Sequence, residues 1–263
     1  MLKKKGCPTT STIHRLIYRP VEDPKTKETV FVLWYEDNPL LSAKLIVIDE
    51  CSMVNGKIGK DLLSFGAPIL VLGDPAQLPP IEGSGFFTNQ TPDFMLTEIH
   101  RQAKDSPIIH LATMARNRQM PPLGSYGDSV ITNSITSDVA GNAEQIIVGT
   151  NATREKMNNR VRKILSIDSF DPVVNDKLIC LRNDYQLGIL NGEMFILDEI
   201  LKHSPRGPNF FHMRVSSEDS RGSSCYVNVH KSNFDSHVPK LPSTYSRKIY
   251  QDFTYGYGIT VHK

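Results

Sequence analysis

Features that would mark a secreted, metal-bound or membrane-embedded protein are scarce in this sequence. Its four cysteines, Cys7, Cys51, Cys180 and Cys225, are widely spaced and form no CxxC pair. That spacing argues against a zinc site and predicts free thiols in a reducing compartment. The eight histidines are scattered as well, and no HExxH string occurs. No apolar run approaches the ~18–20 residues of a membrane-spanning helix. Lys3-Lys4-Lys5 is not followed by the apolar stretch of a signal peptide. An excess of one charge is also missing: 30 Lys and Arg against 28 Asp and Glu leave a net charge of +2. Bulk electrostatics therefore gives no indication of nucleic acid, and any such case must come from local sites. No internal repeat or low-complexity tract is present. These properties predict a soluble protein of one or two domains in the cytoplasm of a bacterium or a phage-infected cell.

What is present begins with two short, nearly continuous apolar runs, residues 43–48 and 69–72. Such runs are expected of parallel strands covered on both faces. Between them Ile58, Leu62 and Phe65 recur at i, i+4 and i+7, one face of a short helix. Gly66 follows where a helix end favours a left-handed residue. The reading is a βαβ unit, whose functional groups gather at the carboxyl ends of its strands. Asp49, Glu50, Asp74 and Gln77 all fall there. Phe94-Met95-Leu96 reads as a further strand, Pro107 as the first turn of a helix, and residues 119–143 as an irregular connector. Residues 145–149 resume as a strand, and Asn151 is placed to cap a helix over 152–165. From about residue 176, four short β-type runs (177–181, 193–201, 210–215 and 224–230) suggest a small barrel or meander. Residues 253–261 read as a return to a parallel strand.

A carboxylate ending a buried strand can hold Mg²⁺ through water, and a neighbour can accept a proton from an attacking water. Alone, this pair is also what any strand ending in a charged turn would show. A glutamine at the end of the adjacent strand adds a group able to bond both a γ-phosphate and that water.

With these residues in view, Ile48-Asp49-Glu50-Cys51-Ser52-Met53-Val54 and Gly73-Asp74-Pro75-Ala76-Gln77-Leu78-Pro79-Pro80 resemble motifs II and III of superfamily 1 helicases. The closest branch is the RecD-like and Dda-like group (superfamily 1B), which moves 5′ to 3′ on single-stranded DNA. Thr9-Thr10-Ser11-Thr12-Ile13-His14 resembles the motif after the phosphate loop, and His100-Arg101-Gln102 resembles motif IV. Thr150-Asn151-Ala152-Thr153-Arg154 and Asn191-Gly192-Glu193 resemble signatures of the second lobe and its insert. Tyr257-Gly258-Ile259-Thr260-Val261-His262-Lys263 resembles the start of motif V.

The resemblance implies an α/β fold with two RecA-like parallel-sheet lobes, both incomplete, and a small SH3-like β insert in the second. Residues 1–97 would be the first lobe, 98–175 the start of the second, 176–250 the insert and 251–263 the returning strand. ATP and Mg²⁺ would be the cofactors. Asp49 would hold the metal, Glu50 act as general base, Gln77 sense the γ-phosphate, and Arg101 reach it as an arginine finger. Thr10, Ser11, His14, Thr260 and His262 would face DNA phosphates, although a turn and helix cap explain the first three equally well. Phe86 and Phe87 are expected as packed loop aromatics rather than base-stacking groups. Single-stranded DNA is the expected partner, with RNA less favoured, alongside replication, recombination, repair or nuclease proteins and no membrane. No GxxxxGK[ST] phosphate loop occurs in the 263 residues. The expectation is therefore the middle of a helicase, from a truncated or split gene or a prophage remnant. Such a chain would not hydrolyse ATP appreciably alone, and a non-catalytic nucleic-acid-binding role and an RNA helicase are the alternatives.

Overall fold

The computed structural model describes residues 6–7, 9–25, 29–81, 83–98, 106–218, 223–241 and 250–261. The chain divides into two compact units, residues 1–131 and 132–263.

In the first unit Thr12 caps helix α1 (Ile13–Ile17), its hydroxyl accepting the Arg15 N–H. An antiparallel hairpin follows, β1 (Tyr18–Glu22) with β2 (Thr29–Leu33). Strands β3 (Ile46–Ile48) and β4 (Ile69–Val71) then pair in parallel, Ile46 with Ile69 and Ile48 with Val71. Between them Asn55 caps helix α2 (Gly56–Leu63), its side-chain oxygen accepting the Ile58 N–H at 3.0 Å. Leu62 and Phe65 are buried and Gly66 is left-handed at φ +73°, so the expected βαβ unit forms. Ile17, Leu40, Ile46, Ile48, Val54 and Leu62 lie in its core. Helix α3 (Pro107–Arg116) and the hairpin of β5 (Gly124–Tyr126) with β6 (Ser129–Ile131) complete this unit.

Two expectations fail here. The parallel pair is covered on one face only among the described residues: Ile46 and Ile48 are buried, but Val47 is 55% and Leu70 48% exposed. An apolar run records strand chemistry without recording how many layers pack on it. Phe94-Met95-Leu96 forms no strand, and Phe94 and Leu96 are more than nine-tenths exposed. Among the described residues this segment has no ladder partner to fix it.

The second unit opens with α4 (Ser137–Asn142), capped by Thr136. This helix and the preceding hairpin replace the irregular connector expected over 119–143, because their turn-forming residues act as caps and hairpin corners. Strand β7 (Ile146–Val148) leads to α5 (Asn151–Ile164). Its cap is Thr150, one residue before the expected Asn151, and the Thr150 hydroxyl accepts the Thr153 N–H at 3.1 Å. The four expected β runs become β8 (Lys177–Cys180), β9 (Met194–Leu201), β10 (Phe210–Ser217) and β11 (Ser224–His230). Residues 253–261 are two strands rather than one. β12 (Phe253–Tyr255) runs antiparallel to β8, and β13 (Gly258–Thr260) runs parallel to β7. The chain changes partner sheets at Gly256, where packing excludes a side chain: a Cβ there would sit 2.6 Å from Met194 Cε and 2.9 Å from the Leu178 carbonyl carbon.

The result is a five-stranded antiparallel sheet in the order β11-β10-β9-β8-β12, beside a two-stranded parallel sheet of β13 and β7. Leu178, Leu197, Met213, Val215, Val227 and Phe253 fill the core of the larger sheet. Each unit thus holds one parallel strand pair with a helix connecting into it, as an α/β fold of RecA-like lobes requires. Among the described residues no helix is long and apolar enough to cross a membrane.

Candidate nucleotide site

The site in the first unit is built where β3 and β4 end side by side. The Leu72 N–H donates to the Ile48 carbonyl at 2.8 Å, and the Cys51 N–H donates to the Leu72 carbonyl at 3.2 Å. Those two bonds carry the ladder one step past the strands and set residues 49–50 beside residues 73–77. Glu50 makes the turn in the left-handed region, φ 56° and ψ 52°, uncommon for a residue with a side chain. A short 3₁₀ turn, Cys51–Met53, follows at once. Gly73 is forced by packing, since a Cβ there would lie 2.5 Å from Cys51 Sγ and 3.1 Å from Cys51 N. Burial pushes the Cys51 thiol above its ordinary value, so this cysteine is a packing group.

Asp74 organises the second turn. Its carbonyl accepts the Gln77 N–H and its Oδ1 accepts the Ala76 N–H, at 3.1 and 3.0 Å. Arg116 of α3 clamps the same carboxylate through Nη1–Oδ2 at 3.0 Å and Nη2–Oδ1 at 2.9 Å. Burial raises the Asp74 pKa, but the Ala76 N–H and the Arg116 guanidinium outweigh it and hold the carboxyl below its ordinary range. Asp74 is therefore committed to the turn. Arg116 is the functional-site residue that sequence reasoning missed, because nothing local links a helix-end arginine to an aspartate 42 positions earlier.

Asp49, Glu50 and Gln77 remain exposed on this rim. Among the described residues no side chain forms an ion pair with either carboxylate, and no cluster of three or more metal-ligating side chains exists. Two carboxylates do not make a metal cage. They do fit the protein's share of a Mg²⁺ site in which phosphate and water supply the other oxygens. Arg101 lies outside the described residues, as does His262.

The expected DNA-facing residues divide by local environment. The Thr10 hydroxyl donates to the Cys7 carbonyl, Ser11 is exposed, and His14 is exposed with its ring 4.8 Å from that of Tyr18. The turn-and-cap geometry is present here, with Thr12 as the cap. Thr260 ends β13 opposite Val148 in the second unit. Phe86 and Phe87 pack edge to face at 5.0 Å, and Phe86 lies where a Cβ on Gly59 would be, consistent with packed loop aromatics.

Comparison with known proteins fits this geometry. The profile of a family described as an AAA domain matches residues 2–130. An uncharacterized protein of Acanthamoeba polyphaga mimivirus is 27% identical over 231 residues, covering 73% of this chain and 46% of that protein. The ATP-dependent RecD2 DNA helicase of Deinococcus radiodurans is 32% identical over 126 residues, 44% of this chain and 16% of that one. The chain thus spans less than half the length of the curated relatives it matches. Among solved structures, Bacteroides Pif1 bound to single-stranded DNA superposes with a TM-score of 0.55 at 18% identity, over 97% of this chain and 70% of that one. A structure of two coordinating Pif1 helicases on forked double-stranded DNA gives 0.54 at 19% identity, over 95% and 68%. At those identities the likeness is one of fold. In its motifs, its AAA-domain match over residues 2–130 and its Pif1-like fold, the chain is similar to superfamily 1B helicases of the RecD-like and Pif1-like kind.

Proposed function

We propose that the chain is part of an ATP-dependent 5′–3′ DNA helicase that couples ATP hydrolysis to movement along single-stranded DNA. The observation that carries this reading is the placement of Asp49-Glu50 beside the Asp74–Gln77 turn at the carboxyl ends of two adjacent parallel strands. In such sheets the ligand sits beyond those ends.

Bound Mg²⁺ and ATP would supply the phosphoryl group and neutralise its developing charge. Asp49 would hold the metal through water. Glu50, held by its left-handed turn, would take the proton from the attacking water. Gln77 would report the γ-phosphate, with the Asp74–Arg116 clamp fixing its turn. Arg101 would serve as the arginine finger, and Thr10, Ser11, His14, Thr260 and His262 would meet the DNA backbone. The five-stranded sheet is read as the SH3-like insert of that family. The Pif1 structures of similar fold, one bound to single-stranded DNA and one on forked DNA, support DNA as partner. Work in replication, recombination or repair belongs to the same proposal.

The 263 residues contain no GxxxxGK[ST], so the amides and lysine that hold β- and γ-phosphates are missing from this sequence. The purified chain is expected to bind single-stranded DNA oligonucleotides and to hydrolyse ATP no faster than buffer. Hydrolysis abolished by Glu50→Gln would overturn the expected incompetence. Tighter binding to matched RNA than to DNA would overturn the DNA assignment.

A further inference from the structure

We propose that the outer face of α5 is a second nucleic-acid contact, a groove that grips phosphodiester backbone with Lys156, Arg160 and Lys163. This rests on the nucleic-acid part of the proposed function and on none of its ATP chemistry.

The whole chain carries a net charge of only +2. Helix α5 alone holds Arg154, Lys156, Arg160, Arg162 and Lys163 against the single carboxylate Glu155. One of those cations is spent internally: Arg162 is buried and paired with Asp176 at 3.1 Å. Lys156, Arg160 and Lys163 follow at i, i+4 and i+7, so they form one row on the exposed side, about 10 Å long at 1.5 Å per residue. With Ser137, Asn159 and Ile164 they line an open groove of about 540 Å³ that contains no acidic residue.

Two physical points set this row apart from an ordinary solvated face. Like charges at i, i+3 and i, i+4 destabilise a helix by a few tenths of a kcal/mol per pair. Lys163 is offset by the negative end of the helix dipole, but Lys156, in the first half, gains no such compensation. Moreover, among the described residues none of the three is in an ion pair, although the Arg160 guanidinium is aimed by a 2.7 Å hydrogen bond from Nη2 to the Ile135 carbonyl. An arginine held by a hydrogen bond and flanked by two exposed lysines and two neutral donors suits repeated phosphates better than a single anion.

The test compares purified wild-type chain with Lys156→Gln/Lys163→Gln, which leaves the Arg160 bond to Ile135 in place, and with Lys156→Arg/Lys163→Arg. Binding of a labelled oligo-dT and of a duplex is followed by anisotropy across a salt series, with thermal unfolding as the check on folding. The Gln variant is expected to lose roughly tenfold in affinity at low salt. Its log–log salt slope should fall by roughly 1.4 on single strands or 1.8 on duplex, for two lost contacts. The Arg variant should keep both, and the oligonucleotide showing the loss identifies the form gripped. Unchanged affinity and slope for both nucleic acids in a folded Gln variant would overturn the proposal. So would displacement of neither DNA by heparin alongside tight binding of polyglutamate, which would assign the face to an acidic polypeptide. A failure of the nucleic-acid reading would show as no binding of either oligonucleotide by the wild-type chain, and a failure of this one as wild-type binding that the α5 variants leave unchanged.

Discussion

Asp74 and Arg116 meet as a two-point ion pair, Nη1 to Oδ2 and Nη2 to Oδ1, joining the β4 turn to the last turn of α3. Both side chains are partly exposed, at 35% and 48%, so the pair adds little to global stability. Its effect is local, in fixing the turn that carries Gln77.

Arg116→Gln should therefore move the Asp74 carboxyl up toward its ordinary value, read by carboxyl-carbon NMR titration, with little change in melting temperature. The folded pKa of Asp74 is depressed, so its contribution is present above the ordinary aspartate value near ~3.9 and is lost as pH falls through the folded value. The turn should accordingly loosen only in strongly acidic solution in wild type, and nearer the ordinary aspartate value in the variant. An Asp74 titration indifferent to the substitution would contradict the clamp.

Gly73→Ala should destabilise the first unit by about 1–3 kcal/mol, the usual cost of overpacking. The added methyl would meet Cys51 Sγ at 2.5 Å. Adding Cys51→Ala removes that nearest atom but not the backbone nitrogen at 3.1 Å, so rescue should be partial. Urea unfolding of the single and double variants measures this.

In the second unit, Asn158 is buried on α5 and holds the β12–β13 turn. Its amide donates to the Tyr255 and Gly258 carbonyls, and its oxygen accepts the Gly258 N–H at 2.7 Å. Asn158→Ala should cost on the order of 1–3 kcal/mol, because the buried Gly258 N–H loses its acceptor. Hydrogen exchange at Gly258 should accelerate.

Arg162 and Asp176 form a buried pair that also takes the Tyr257 hydroxyl. Removing only the cation, by Arg162→Met, should cost about 3–5 kcal/mol, since Asp176 is left charged and buried. Arg162→Met/Asp176→Leu should lose less than the single variant. A double variant as unstable as the single one would show that the ion pair is not the relevant interaction.

His230 is buried against Phe210, and desolvation lowers its pKa below the ordinary 6.5. The unfolded chain therefore binds more protons than the fold just below that value. Stability should be level above about pH 7 and should fall as pH drops below ~6.5, toward the folded value. Denaturant midpoints from pH 7.5 to 5.5 test this, and His230→Gln should flatten the profile.

The local chemistry was largely legible. Apolar runs bounded by turn residues located β3, β4 and β8 to β11, because strand formation and its punctuation depend on neighbouring residues. The 3.6-residue spacing of Ile58, Leu62 and Phe65 located α2. The paired carboxylates and the Gly73–Gln77 string marked the ends of β3 and β4, where the candidate site lies. Caps were legible to within one position, since Thr150 and Asn151 can both serve and only backbone geometry selects between them.

Relationships over long separations were not legible. The one-sided covering of Val47 and Leu70, the exposure of Phe94 and the splitting of 253–261 at Gly256 all depend on which other segment arrives. The same holds for the Arg116 clamp on Asp74 and for Asn158 reaching Gly258, 100 positions away. The sequence by itself determined the kinds of element, the helicase-like motifs and the residues of the candidate site, all of them encoded within a few neighbouring residues. Only the tertiary structure decided which carboxylates stay exposed and which is consumed by an arginine, and which cations of α5 face outward. Those outcomes depend on distances between side chains that chain order does not contain.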